Sequence, residues 1–175
     1  MKVEKTERKK QKVLRKQVQA ENSIICGVKN PATLGCVFYE LEGGGVGIRF
    51  VASKWHEGHG SMMHGGFIAS ILDEVMGRAI NNAGIPTTKP FVTAEMTTYY
   101  RCPIAVGYPM YAFGKVERAE GRRCYSYGEI VNEEGIIMAK GTGTYVMVDK
   151  AGDDKSEDYD GIPTLPLEDS DPEEL

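Results

Sequence analysis

His64, Gly65 and Gly66 stand together in the chain, and Asp73 follows nine residues after His64. Glycines at the start of a helix leave backbone N–H groups open to a ligand carbonyl, because no side chain holds the carbonyl off. The first N–H groups of a helix have no intrahelical acceptor and carry partial positive charge. Donors of that kind can polarise a carbonyl and hold the oxyanion that develops when it is attacked. A carboxylate two turns further on, at Asp73, has the chemistry to attack the carbonyl carbon or to activate water. Gly66, Ala69, Ser70 and Gly77 fall near the Asp73 side of an ideal helix, a small-residue stripe that leaves room for a ligand or a partner. The plainer alternative is that Asp73 and Glu74 are solvated helix acids.

Other residues of chemical interest are weaker. His56, His59 and His64 invite a metal reading, but His56-Glu57-Gly58-His59 is one residue short of H-E-x-x-H and is broken by glycine. It cannot present both rings from one helix face, so no metal site is expected. Gly43-Gly44-Gly45 imitates a phosphate loop, yet a strand pattern follows it and not a helix. Arg122 and Arg123 sit at a turn, either as solvated hairpin charges or as phosphate contacts. Cys26, Cys36, Cys102 and Cys124 form no C-x-x-C pair and read as free thiols.

These residues need a scaffold, and the periodicity supplies one. Residues 66–83 read as a helix, with Phe67, Ile68, Ile71, Leu72, Val75, Met76 and Ala79 on one broad face and Gly84 and Pro86 at its end. Residues 33–42 and 46–54 read as strands joined by the glycine turn. Segments 88–101, 108–118, 122–132 and 136–148 read as four more, and 55–65 as a loop. Residues 1–21 read as a charged helix with sparse apolar positions at Val3, Leu14 and Val18. The whole is an α+β pattern with an antiparallel sheet. Ala112 and Gly114, Ser126 and Gly128, and Ala139, Gly141 and Gly143 alternate onto single faces of the last three strands. A helix nested against a curved sheet needs such a trough; strand bulges are the alternative explanation.

Charge divides the chain. Residues 1–20 hold eight Lys or Arg against two Glu, and 149–175 hold eleven acids against two Lys. Both ends read as solvated extensions that attract each other weakly, and neither holds a motif residue. The basic arm lacks interleaved aromatics, so no nucleic-acid partner is expected. No apolar run is long enough to span a membrane, and no apolar stretch follows the N-terminal charges, so a cytoplasmic protein is expected.

The stretch from Met63 to Glu74 resembles the H-G-G-x6-D signature of hotdog-fold acyl-CoA thioesterases, most closely the phenylacetate-degradation branch. Val92 to Met96, Tyr100-Arg101-Cys102-Pro103, Gly121-Arg122-Arg123, Cys26-Gly27 and Asn30-Pro31 are similar to further stretches of that family, so the resemblance covers roughly 24–148. It implies a long helix wrapped by an antiparallel sheet in a domain over 22–148, between an N-terminal helix (1–21) and an acidic tail (149–175). It also implies hydrolysis of an acyl-CoA to free acid and CoA, with CoA part of the substrate and no separate cofactor. Gly66 N–H resembles the carbonyl-polarising donor, Asp73 the catalytic carboxylate, and His64, beside Gly65, the residue that shapes the helix start. Thr93 matches a Ser or Thr near the attacking water. Several relatives carry Asn where this chain has Gly58, a role open here to Glu57 or His59. Arg122 and Arg123 are candidates for CoA phosphates. A homodimer is implied, with further pairing to a tetramer. A non-catalytic acyl-CoA sensor and a hotdog enoyl-CoA hydratase are the competing functions, and aryl-acetyl and medium-chain acyl groups both remain open.

Overall fold

A computed structural model describes residues 4–6, 10–85, 89–149 and 162–175. One α-helix, α1 (Gly65–Ala79), is continued by a 3₁₀ turn over Ile80–Asn82. Ile68, Ile71, Leu72, Val75, Met76 and Ala79 are buried along it, the apolar face that the spacing predicts. Gly84 ends the segment at φ 65°, a conformation that residues with a Cβ rarely adopt. Pro86, expected to help stop the helix, lies outside the described residues.

The strands are β1 (Val13–Gln17), β2 (Tyr39–Leu41), β3 (Val46–Val51), β4 (Glu57–His59), β5 (Met62–Met63), β6 (Phe91–Tyr100), β7 (Pro109–Glu120), β8 (Arg123–Asn132), β9 (Ile137–Met147) and β10 (Thr164–Leu165). Eight form one sheet in the order β10-β1-β2-β3-β7-β8-β9-β6, and β4 with β5 makes a small hairpin within the expected loop. Every pairing is antiparallel.

The register explains the small residues. Gly114 lies opposite Gly128, and Gly128 opposite Gly141, so three strands share one glycine line. α1 rests on that line. A Cβ at Gly114 would stand 2.1 Å from the Val75 carbonyl oxygen, and one at Gly128 would stand 2.9 Å from Met76 Cγ. The glycines therefore mark close approach of the helix, as the trough reading expected. The main core lies between α1 and this face.

The expected N-terminal helix is not found among the described residues. Residues Val13–Gln17 are a strand instead, paired to β2 through Lys16–Tyr39 and Val13–Leu41. Val13 and Gln17 point inward, and Val13 joins Tyr39, Leu41 and Leu175 in a second small core. Pairing and burial outweigh the weak helical preference of the charged residues. Val3 lies outside the described residues.

Nor is the acidic segment free where it is described. Thr164 and Leu165 pair with Gln17 and Lys16, and Leu175 is only 3% exposed. Lys16 bridges Asp171 at 3.0 Å and Glu168 at 3.3 Å, and the Tyr39 hydroxyl donates to Asp171 at 2.9 Å. The opposite charges of the two ends thus meet in a packed contact. The Ile162 N–H also donates to Asn81 Oδ1 at 3.0 Å, which brings this segment to the end of the helix.

Candidate functional site

The helix start is built around His64. Its backbone N–H donates to the His56 carbonyl at 2.8 Å, and its ring caps α1 by accepting the Gly66 N–H on Nδ1 at 2.9 Å. Gly66 allows this, since a Cβ there would stand 3.0 Å from Nδ1. Gly58 packs on the other side, where a Cβ would stand 3.0 Å from His64 Cα. Gly65 offers its carbonyl to the Tyr100 hydroxyl at 3.0 Å. Beside this start lies a groove of about 640 Å³, mainly apolar, between Met62, Ile68, Tyr100, Cys102 and Ile104, with His59 on its rim. His64 is thus the N-cap of α1. The Gly66 N–H, expected to meet a carbonyl, here donates to His64.

Asp73 lies two turns along, half-buried at the wall of a second groove of about 330 Å³. Two hydroxyls converge on its Oδ1: Thr93 from β6 at 2.7 Å and Tyr145 from β9 at 3.0 Å. The Tyr145 hydroxyl is also 2.9 Å from the Asp73 carbonyl oxygen. Asp73 Oδ2 has no hydrogen-bond partner among the described residues. Phe91, Val92, Ile80 and Ile162 supply apolar wall, and Gly77 keeps the helix side low. The Tyr145 phenol is held well above its ordinary range, first by burial and then by the Asp73 carboxylate, so it remains a donor.

Glu74 has a different fate. Its carboxylate accepts from Arg78 Nε at 2.8 Å. Arg78 is only 6% exposed, lies 4.3 Å over the Phe38 ring, and donates to Cys26 Sγ at 3.2 Å and the Val18 carbonyl at 3.2 Å. Both adjacent acids line the second groove, but Glu74 is paired to the buried Arg78 while Asp73 rests on two hydroxyl donors.

The remaining candidates are scattered. Glu57 and His59 are exposed on the β4–β5 hairpin, nearer the helix start than Asp73. Arg122 is exposed but occupied, donating to the Met147 carbonyl at 2.9 and 3.1 Å and pairing with Asp149 at 3.5 Å. Arg123 pairs with Val146 across β9, one rung from Tyr145. No group of three metal-ligating residues is found among the described residues.

Gly66 and Asp73 are separated by seven helical residues, about 10 Å of axial rise. One carbonyl cannot touch both within a single chain. Tyr145 was missed in the sequence. Its signal was the alternation: it follows Gly141 and Gly143 on the helix-facing side of β9.

Comparison with known proteins places this geometry. The family model of the thioesterase superfamily matches residues 60–139, from the β4–β5 hairpin into β9. An uncharacterized protein of Schizosaccharomyces pombe is 29% identical over 125 residues, 68% of this chain and 70% of that protein. The acyl-coenzyme A thioesterase THEM4 of Xenopus laevis is 25% identical over 112 residues, 63% of this chain, and the match spans about half (49%) of its length. Among solved structures, the thioesterase superfamily protein RHA08564 is 27% identical with a TM-score of 0.66, covering 71% of this chain and 59% of its own. BH2602 of Bacillus halodurans, solved with CoA, is 26% identical with a TM-score of 0.58, covering 65% of this chain and 74% of its own. The E. coli PaaI protein of the phenylacetic acid degradation operon is 19% identical with a TM-score of 0.59, covering 66% and 81%, a likeness of fold. Residues 60–139 thus match the thioesterase superfamily, and the long helix packed on an antiparallel sheet is the hotdog arrangement of these thioesterase-superfamily structures.

Proposed function

We propose that the chain hydrolyses an acyl-CoA thioester, with Asp73 as nucleophile or general base. The observation that carries this is the setting of the carboxylate. Two hydroxyls hold Asp73 Oδ1. Oδ2 is left to attack the thioester carbon or to take a proton from water. Thr93, bonded to the same carboxylate, would help to hold the attacking water. The similar acyl-coenzyme A thioesterase of Xenopus laevis and the CoA-bound Bacillus halodurans structure support the substrate class.

The carbonyl-polarising N–H must then come from a second copy. β6 is a ten-residue strand at a free sheet edge, and its Tyr99 and Tyr100 are exposed. Its Thr93 end lies at Asp73 and its Tyr100 end at Gly65. Antiparallel pairing of two β6 edges about a two-fold axis near Met96 sets the Asp73 end of one chain against the helix start of the other. Gly66 N–H reaches a carbonyl there once the His64 ring turns from it. A homodimer is therefore the catalytic unit in this reading, and four free cysteines suit a reducing, cytoplasmic setting.

The test is release of free thiol from a panel of aryl-acetyl-CoA and acyl-CoA thioesters. Asp73→Asn is expected to remove about 10²–10⁴ of the rate while the protein stays folded and dimeric. Near-normal turnover in that variant would overturn the mechanism. The commitment of Gly66 N–H to His64 favours one rival, a binding protein without turnover; thioester binding with no thiol release across the panel would establish it.

A further inference from the structure

We propose that Tyr145 is a positioning residue for Asp73, clamping the carboxylate to its own helix from a slot kept open by Gly77 and Gly143. The inference rests on Asp73 as the catalytic carboxylate and adds the device that fixes its geometry. The phenol reaches two atoms of one residue, Asp73 O at 2.9 Å and Oδ1 at 3.0 Å. A side chain bonded to Thr93 alone could swing about its first torsion. Bonded also to a phenol that touches its own backbone, it cannot leave that setting without breaking two contacts.

The slot is specific to the ring. A Cβ at Gly143 would stand 2.8 Å from Tyr145 Cε2, and one at Gly77 would stand 3.3 Å from Cε1. The ring is therefore flanked by α1 on one side and by its own strand on the other. It is only 2% exposed, so the aligned phenol is shielded from competing water. Both hydroxyls land on Oδ1, which turns Oδ2 toward the groove. Among the described residues, the titratable groups lining that groove are Asp73, Glu74 and Arg78 from α1 and Tyr145 from β9; β6 and Ile162 bring none. Glu74 and Arg78 pair with each other, so Tyr145 is the titratable neighbour that acts directly on the Asp73 carboxylate.

Tyr145→Phe keeps the ring and removes the donor, which separates positioning from packing. On phenylacetyl-CoA and hexanoyl-CoA, whichever turns over faster, it is expected to lower kcat about 10- to 100-fold, the weight of one hydrogen bond to a charged group. KM should stay within about twofold, because substrate does not touch the phenol. Gly143→Ala keeps the phenol and crowds its ring, and should also lower kcat at constant KM. Wild-type kcat in Tyr145→Phe, with Asp73→Asn inactive, overturns this inference alone. An active Asp73→Asn overturns the Asp73 reading, and this inference with it.

Discussion

Asp73 and Glu74 are neighbours of the same charge type with opposite fates, and the difference lies in what each meets. Glu74 meets Arg78 one turn on, in a buried network with Phe38 and Cys26. Asp73 meets two neutral hydroxyls and a groove. Glu74→Gln should therefore keep turnover per folded molecule and lose stability, because it leaves a buried guanidinium less well compensated. A thermal melt and a thiol-release assay on the same sample separate the two effects. His64 carries a prediction of its own. Its ring is the N-cap of α1, so His64→Ala should destabilise the fold by about 1 kcal/mol, readable as a lowered midpoint in urea. Asp73, Gly66 and His64 were legible because their spacing is local, within one helix and its cap. Tyr145 was not, because its partner lies 72 residues away and only the sheet register brings them together.

At the scale of elements, the trough was the most informative pattern. Small residues alternating on three successive strands predicted a helix pressed against a curved sheet, and Gly114, Gly128 and Gly141 line up under α1. Gly114→Ala should then be the most damaging of the small substitutions. Its Cβ would strike helix backbone at Val75 O, not a side chain that can turn aside. A loss of about 1–3 kcal/mol or more is expected, measured by denaturant unfolding. The same reading failed at the N-terminus. Val13–Gln17 has the composition of a surface helix, and what makes it a strand lies in β2 and β10, far along the chain. A five-residue strand carries too few residues for its period to show.

For the whole molecule, the two ends of the chain are joined. Asp171 is held below the ordinary carboxylate range, first by the Glu168 N–H and then by Lys16 and the Tyr39 hydroxyl. A carboxyl held low in the folded state stabilises it above the unfolded value, and that contribution fades as pH falls through the folded one. Acid should therefore loosen residues 162–175 from β1 as Asp171 takes up its proton. Hydrogen exchange at the Leu175 amide, bonded to the Gln11 carbonyl, would report it. Asp171→Asn should show the faster exchange already at neutral pH. Sedimentation at micromolar concentration checks the assembly, with a species of at least twice 19.3 kDa expected.

The pairing of β1 with β10 also bears on how the chain comes into being. β1 leaves the ribosome well before its partners Thr164 and Leu165, about 150 residues further along the chain. Until they emerge β1 has no outer neighbour, and the groove beside Asp73 lacks its Ile162 wall. Closing a contact between such distant segments is slow, because the intervening chain must first be ordered. A nascent or C-terminally clipped molecule therefore presents an open strand edge, the form most prone to pair with a stranger. Residues 162–175 thus cover an edge that would otherwise be open to aggregation.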